Sequence, residues 1–206
     1  YLTSAAGFLL EKEITYIGKA VENPQKPFVV ILGGKKISDK ILLIENLISK
    51  ANAILIGGGM AYTFLKAQGK KIGKSICEND KVDLAKSLLD KAKAKGVNIA
   101  LPEDFVIVES FDKPQGRKIA TDIPDGWEGV DIGPKSREKF KEILKTAKTV
   151  VWNGPMGVFE IDAFAEGTKE IAKYLAGLKG ATTIIGGGDS AAAVSKFGLE
   201  KGMTHI

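Results

Sequence analysis

Apolar residues along the chain follow two alternating patterns. Short continuous runs occur at Phe28–Leu32 (FVVIL), Ala53–Ile56 (AILI), Val97–Leu101 (VNIAL), Thr149–Trp152 (TVVW) and Thr182–Ile185 (TTII). They are too short for helices and rich in β-branched residues, so they predict buried strands. Between them, apolar positions recur at helical spacing. Leu10, Ile14, Ile17 and Val21 form one such stripe, and Ile37, Ile41, Ile44 and Ile48 repeat it. Phe164, Thr168, Ile171, Leu175 and Leu178 form another, with Thr168 its polar exception. Ala85, Leu88, Leu89 and Ala92 predict a helix that Gly96 is placed to cap, and Phe140, Ile143, Leu144 and Ala147 predict one more.

Strands without polar alternation, interleaved with amphipathic helices, predict an α/β fold. The expected architecture is a Rossmann-like, doubly wound, mostly parallel sheet with helices on both faces. One stretch departs from it. Phe105–Asp131 carries a short FVIVE run and then two Pro/Gly turns, Lys113-Pro114-Gln115-Gly116 and Pro124-Asp125-Gly126. It reads as a small antiparallel excursion. Residues 1–25 read as a leading helix of the kind that joins two domains, and residues 26–206 as one domain.

Composition narrows the function classes. Hydrophobic residues make up 44% of the 206, ample for a core. Cys77 is the only cysteine, so the chain forms no internal disulfide and suits a reducing compartment. No apolar run reaches the length of a membrane span, and a cytoplasmic, monomeric protein is expected. The net charge of +5 raises the question of nucleic acid. The lysines, however, alternate with acids along helical faces, as from Asp80 to Lys95, which suits solvated surfaces. Aromatic residues are not interleaved with them as stacking platforms would require, so neither nucleic acid nor membrane is an expected partner.

The chain's 24 glycines cluster at strand ends. Gly33-Gly34-Lys35-Lys36 follows the first strand and Gly57-Gly58-Gly59 the second. Asn153-Gly154-Pro155-Met156-Gly157 and Gly186-Gly187-Gly188-Asp189-Ser190 follow the last two. In doubly wound sheets ligands bind at that edge, and glycine lets backbone approach them closely. Tight strand-to-helix turns would also explain any one of these sites. The last leads into Asp189-Ser190-Ala191-Ala192-Ala193-Val194, a helix start whose free N–H groups suit a phosphate. Asp189 reads equally as an N-cap or as a Mg²⁺ neighbour. Lys36 and Lys40, four apart, would share a helix face and supply charge over a moving phosphoryl group, or else are merely solvated. Asp39 between them is a helix-start acid or a metal neighbour. Other familiar sites are excluded. Gly73-Lys74-Ser75 resembles the end of a Walker A loop, but Gln68 stands where that loop needs glycine. One histidine, His205, and one cysteine argue against a transition-metal site.

Taken together, seven segments resemble phosphoglycerate kinase. They are Ala6–Ile14 (AGFLLEKEI), Leu32–Lys40 (LGGKKISDK), Ile56–Leu65 (IGGGMAYTFL), Gly126–Pro134 (GWEGVDIGP), Val150–Glu160 (VVWNGPMGVFE), Phe164–Lys169 (FAEGTK) and Ile185–Ala193 (IGGGDSAAA). They stand in the family's order, and the match is to its C-terminal, nucleotide-binding domain. The family moves phosphate between 1,3-bisphosphoglycerate and ADP. The resemblance implies that Lys36 follows the migrating phosphoryl group and that Lys40 and Asn153 lie at the nucleotide phosphates. It implies that Asp189 lies near the metal and that Gly187, Gly188 and Ser190 give backbone or hydroxyl donors. Glu160 would bind the ribose hydroxyls, Gly58, Gly129, Val130, Pro155 and Val158 would line the adenine and ribose slot, and Gly34 belongs to the same nucleotide site. The implied ligands are ADP or ATP with Mg²⁺, and the implied partner is the family's N-terminal, phosphoglycerate-binding domain.

Two departures qualify the resemblance. The family usually has a small residue after the paired glycines, where this chain has Lys35. The family also continues past the His205-Ile206 match with a further glycine-rich loop and a C-terminal segment. The expectation is therefore a nucleotide-binding domain carrying part of a phosphotransferase site. The alternative is a non-catalytic nucleotide- or phosphate-binding module acting through protein contacts.

Overall fold

The computed structural model describes residues 22–206. The expected leading helix, with Leu10, Ile14, Ile17 and Val21, lies almost wholly outside the described residues. Within them the strands are β1 (Phe28–Leu32), β2 (Ala53–Ile56), β3 (Asn98–Ala100), β4 (Phe105–Val108), β5 (Lys118–Ala120), β6 (Glu128–Ile132), β7 (Thr149–Asn153) and β8 (Thr182–Gly186). The helices are α1 (Ile41–Leu47), α2 (Met60–Ala67), α3 (Val82–Ala94), α4 (Pro134–Leu144), α5 (Glu166–Gly177) and α6 (Gly188–Lys196).

Five strands form one parallel sheet in the order β3-β2-β1-β7-β8. Successive side chains on each strand enter opposite layers. Val30, Leu32, Ile54 and Ile56 pack with Ile44 and Leu47 of α1, Phe64 of α2 and Leu88 of α3. Val29, Ile31, Leu55, Val150 and Trp152 pack with Phe140 of α4, Ile171 and Leu175 of α5 and Val194 of α6. Both faces are covered, which is why these strands lack polar alternation. The chain winds from β1 toward β3 on one side and from β7 toward β8 on the other. The strand order therefore reverses between β1 and β7, and a crevice opens beyond their carboxyl ends.

The excursion is a second sheet, β5-β4-β6, antiparallel throughout, with a bulge between Val106 and Ile107. It sits between β3 and α4 in the chain and brings Glu128–Val130 to the crevice. Asp104 ties it down. Its buried carboxylate accepts from the Lys135 and Ser136 N–H groups (3.0 and 2.8 Å), capping α4, whose first residue Pro134 brings no N–H of its own.

The predicted elements differ from the observed ones mainly at their ends. The strand expected over Val97–Leu101 is trimmed to Asn98–Ala100. Val97 is used to close α3: Gly96 adopts φ +71°, its N–H donates to Lys93 O and that of Val97 to Ala92 O (3.1 and 2.9 Å). That is the glycine cap expected of Gly96. The stripe from Ile37 is not one helix. Ser38–Lys40 form a 3-10 turn before α1, and Phe164 likewise lies in a 3-10 turn before α5. No helix among the described residues is long and apolar enough to cross a membrane.

Candidate functional site

The loops following β1, β2 and β7 are knitted to one another at the sheet edge. Gly33 N–H donates to Asn153 O (2.9 Å), Gly34 N–H to Pro155 O (3.1 Å) and Gly58 N–H to Met156 O (2.9 Å). The backbones are so close that side chains are excluded. A Cβ on Gly33 would lie 1.9 Å from Pro155 O, and one on Gly58 would lie 2.7 Å from Gly34 N. Gly58 also holds φ +64°, a conformation costly to other residues.

Against this floor lies a cleft of about 530 Å³. It is lined by Gly34, Gly58, Gly129, Val130, Pro155, Val158, Glu160 and Asp189, all singled out from the sequence, together with Lys35, Gly59, Tyr62, Ile76, Phe111, Glu128, Met156 and Gly157. Its far end is apolar. Ile76 and Phe111 are exposed to 37% and 40%, a solvation cost that a flat apolar ligand would relieve. Gly129 is shaped by Tyr62, since a Cβ there would meet the phenol oxygen at 2.1 Å.

Through Asp189 the cleft adjoins a polar region made by the start of α6 and the turn before α1. Lys40 Nζ donates to the Asn153 side-chain oxygen. Burial lowers the Lys40 pKa, and Asp39 and Asp189 act in the opposite direction. Gly187, at φ +85°, lies beside Asn153 and precedes α6. Gly188, Asp189 and Ser190 form the first turn of α6, and the first intrahelical bond runs from Ala191 N–H to Gly187 O. The three N–H groups before Ala191 are thus left for an external acceptor. Asp189 is exposed and belongs to both ends: it lines the cleft and acts on Lys40.

Three details differ from the sequence reading. Asp189 is not the N-cap; that place belongs to Gly187, and Asp189 makes no capping bond. Lys36 and Lys40 do not share a helix face. Lys36 stands exposed in the loop after β1, and Lys40 ends the 3-10 turn. The loop takes this path because its ends are held elsewhere. Ile37 is fully buried, and Ser38 N–H donates to the Glu78 carboxylate (3.1 Å). Ser190 is fully buried, and its hydroxyl accepts the Gly154 N–H, locking α6 to the loop after β7.

Tyr62, Ile76, Phe111 and Glu128 carried no signal in the sequence. Ile76 and Phe111 lie outside the glycine loops and reach the cleft only through tertiary folding, whereas Tyr62 and Glu128 stand near Gly59 and beside Gly129 without a residue-level signal of their own. Glu160 had no residue-level signal either and came only with the resemblance. Its loop is held by Lys196 of α6, which donates to Phe159 O and Glu160 O (2.9 and 3.3 Å) and pairs with Asp162 (2.7 Å).

The phosphoglycerate kinase family model matches residues 1–206. The chain belongs to the phosphoglycerate kinase family. It is 62% identical to a phosphoglycerate kinase of Lactobacillus acidophilus and 59% identical to one of Levilactobacillus brevis, each over 98% of this chain and 50% of the relative. It is 58% identical to the cytosolic phosphoglycerate kinase 3 of Arabidopsis thaliana, over 98% of this chain and 52% of that one. The fold matches the phosphoglycerate kinase structure from Coxiella burnetii with a TM-score of 0.91 at 40% identity. That alignment covers 97% of this chain and 52% of the other. The chain spans about half the length of the curated relatives it matches. The family's fold therefore accounts for both the parallel sheet and the antiparallel excursion.

Proposed function

We propose that this chain is the nucleotide-binding half of a glycolytic phosphoglycerate kinase, taking ADP or ATP with Mg²⁺ in the crevice beyond β1 and β7. The observation that carries this reading is the polarity of the cleft. An apolar slot between Ile76, Phe111 and Val158 suits a base. It runs by way of Asp189 to a helix N-terminus flanked by Lys40 and Asn153, which suits phosphates. Glu160, which also lines the cleft, is assigned to the ribose hydroxyls.

Mg²⁺ fits this donor set as a companion of the nucleotide. Among the described residues no group of three or more His, Cys, Asp or Glu forms a metal cluster. Mg²⁺ commonly binds through one or two carboxylates plus substrate phosphates, and Asp189 would be that carboxylate. When bound it would offset phosphate charge. Lys36, exposed and unconfined, is assigned to the migrating phosphoryl group. In the full reaction an ADP oxygen attacks the acyl phosphate of 1,3-bisphosphoglycerate. The P–O bond to the acyl group breaks, leaving the 3-phosphoglycerate carboxylate and ATP.

This half alone is expected to bind nucleotide without turnover. Phosphoryl transfer depends on positioning both reactants, and fixed approach geometry supplies about 7–11 kcal/mol of barrier reduction. Lys36, Lys40 and the α6 terminus form one wall; the family's N-terminal domain would supply the acyl-phosphate anchor and exclude water. Adding that domain in trans rescues little, because a weak pairing replaces a tethered one. Calorimetry with MgADP tests binding, and a coupled assay tests turnover. No binding at millimolar nucleotide would remove the reading. ATP formation abolished by Lys36→Ala would show that this half holds a complete site.

A further inference from the structure

The turn between Lys36 and Lys40 cannot hold itself. Ser38–Lys40 form a single 3-10 turn closed by one bond, from Lys40 N–H to Ile37 O (2.9 Å). So short a helix fixes several backbone torsions for one hydrogen bond, and its N-cap residue supplies no side-chain bond. Its order comes from outside. The Ile37 side chain is fully buried, and the Ser38 N–H donates to the Glu78 carboxylate (3.1 Å). Among the described residues no group other than Glu78 hydrogen-bonds the backbone of residues 35–40 from outside that segment and α1. Burial acts to raise the Glu78 pKa, but hydrogen bonds from Ser38 and from the Ile37 N–H outweigh it and hold the carboxyl below its ordinary value.

The anchor is itself anchored. Glu78 N–H donates to the hydroxyl of buried Thr63 in α2 (3.2 Å), and Asn79 accepts from Lys66 of the same helix (2.6 Å). Two residues earlier, Ile76 lines the apolar end of the cleft, and Ser75 accepts the Gly129 N–H (2.9 Å). Residues 75–79 thus run as a strut from the apolar end of the cleft to the turn that carries Lys40. Glu78 itself does not line the cleft.

Resting on the nucleotide reading above, we propose that Glu78 is a positioning residue: through Ser38 it fixes the turn that sets Lys40 against Asn153, and it touches no ligand itself. Lys40 lies two residues beyond the Ser38 bond. A lysine stem is flexible, so its charge is placed only as well as its backbone root is. Without the Glu78 carboxylate the turn samples more conformations, and Lys40 must be ordered anew whenever phosphates bind. The apolar end does not share this dependence. Truncating the Glu78 side chain leaves the backbone bond to Thr63 in place, and with it the path of Ile76.

The test titrates the 206-residue chain with MgADP by calorimetry and with adenosine, which lacks phosphates, by NMR. Glu78→Ala is expected to weaken MgADP about tenfold, as for loss of a bond to a charged group, and to leave adenosine within about twofold. Glu78→Gln keeps an oxygen acceptor and is expected to recover most of the MgADP affinity. In a double-mutant cycle, Glu78→Ala on a Lys40→Met background is expected to cost MgADP little more than Lys40→Met alone. Equal loss of adenosine and MgADP overturns the proposal, since Glu78 would then support the whole cleft as a structural residue. So does unchanged MgADP affinity in Glu78→Ala, a loss in Glu78→Gln as large as that in Glu78→Ala, or strict additivity with Lys40→Met. Failure of MgADP to bind the native chain instead removes the nucleotide reading itself, and this inference with it.

Discussion

The glycines after β1, β2 and β7 and those after β8 look alike in sequence but meet opposite surroundings. Gly33, Gly58 and Gly154 are pressed against each other's loops. A Cβ on Gly154 would lie 2.3 Å from Gly33 O. Gly188 has nothing within 4 Å of the position its Cβ would take, and its φ is not positive. Gly33, Gly58 and Gly154 are glycine because three backbones must meet; Gly188 has open space at a helix terminus, after Gly187, which is held at φ +85° beside Asn153. A strand-end glycine thus has two separate physical causes, close backbone packing and access for a ligand. Only the second is itself a binding feature; the first builds the floor it rests on.

The sharpest way to break that contrast is substitution. Gly33→Ala forces a methyl group into the Pro155 carbonyl, and backbone atoms cannot yield as a side chain would. It is expected to destabilise by about 3 kcal/mol or more. Gly188→Ala is expected to change stability by no more than about 0.5 kcal/mol, because the methyl enters open space. Urea melts of both variants check this. Similar losses would show that the loop after β8 is packed as tightly as the others.

A second test concerns the packed side alone. Asp131 is 1% exposed and lies beneath Gly157 and Gly167, so close that a Cβ on either would meet its carboxylate. Burial raises its pKa to about 7, against the pull of N–H bonds from Gly167 and Ile132 and the charge of Arg137. Because the folded pKa lies above the unfolded one, the native state holds this proton longer. The stability so gained is fully present below about pH 4 and is lost as pH rises through about 7, at up to about 1.4 kcal/mol per unit between them. Chemical denaturation from pH 5 to 8 should show this slope, and Asp131→Asn should flatten it even though it lowers stability overall. An unchanged slope in the variant would assign the pH dependence to other groups.

Much of the scaffold was legible because its signals are local. Continuous apolar runs and amphipathic stripes report burial through spacing within a few residues, and five core strands and the antiparallel excursion follow from them. Helix α2 was not legible by the same means. Met60, Ala61, Tyr62, Thr63, Phe64 and Leu65 are all buried and only Lys66 is exposed, so this eight-residue helix offers little polar surface from which to read a stripe. The site divides in the same way. The loops carrying Lys36, Lys40 and Asp189 stood out because glycine clusters mark strand ends. Ile76 and Phe111 are single apolar residues that become cleft walls only when β-sheet and excursion meet. The separation of Lys36 from Lys40 was likewise hidden, since it depends on a bond from Ser38 to the distant Glu78.

On the open side, Glu160 and its tether test whether that end of the cleft is built for a ligand. Glu160→Gln is expected to weaken MgADP binding by about 1–2 kcal/mol, as charge-assisted bonds to ribose hydroxyls become neutral. Unchanged affinity would remove Glu160 from the site.

The smallest expected effect is that of Lys196, which touches no part of the proposed ligand. It lies in the last turn of α6 and holds the 159–162 loop through two carbonyls and the Asp162 carboxylate. Asp162 is highly exposed, so the ion pair is screened and the carbonyl contacts carry most of the restraint. Lys196→Met keeps the apolar stem against the loop and removes those bonds. Binding of MgADP is expected to weaken about threefold, near the lower end for a net hydrogen-bond contribution. If Lys196 acts only by placing Glu160, the two substitutions must not add: Lys196→Met on a Glu160→Gln background should cost little more than Glu160→Gln alone. A double-mutant cycle in the MgADP titration reads that coupling directly. Strict additivity would mean that Lys196 influences nucleotide by its own charge, through α6 and the phosphate end, and that the loop carrying Glu160 holds its position without it.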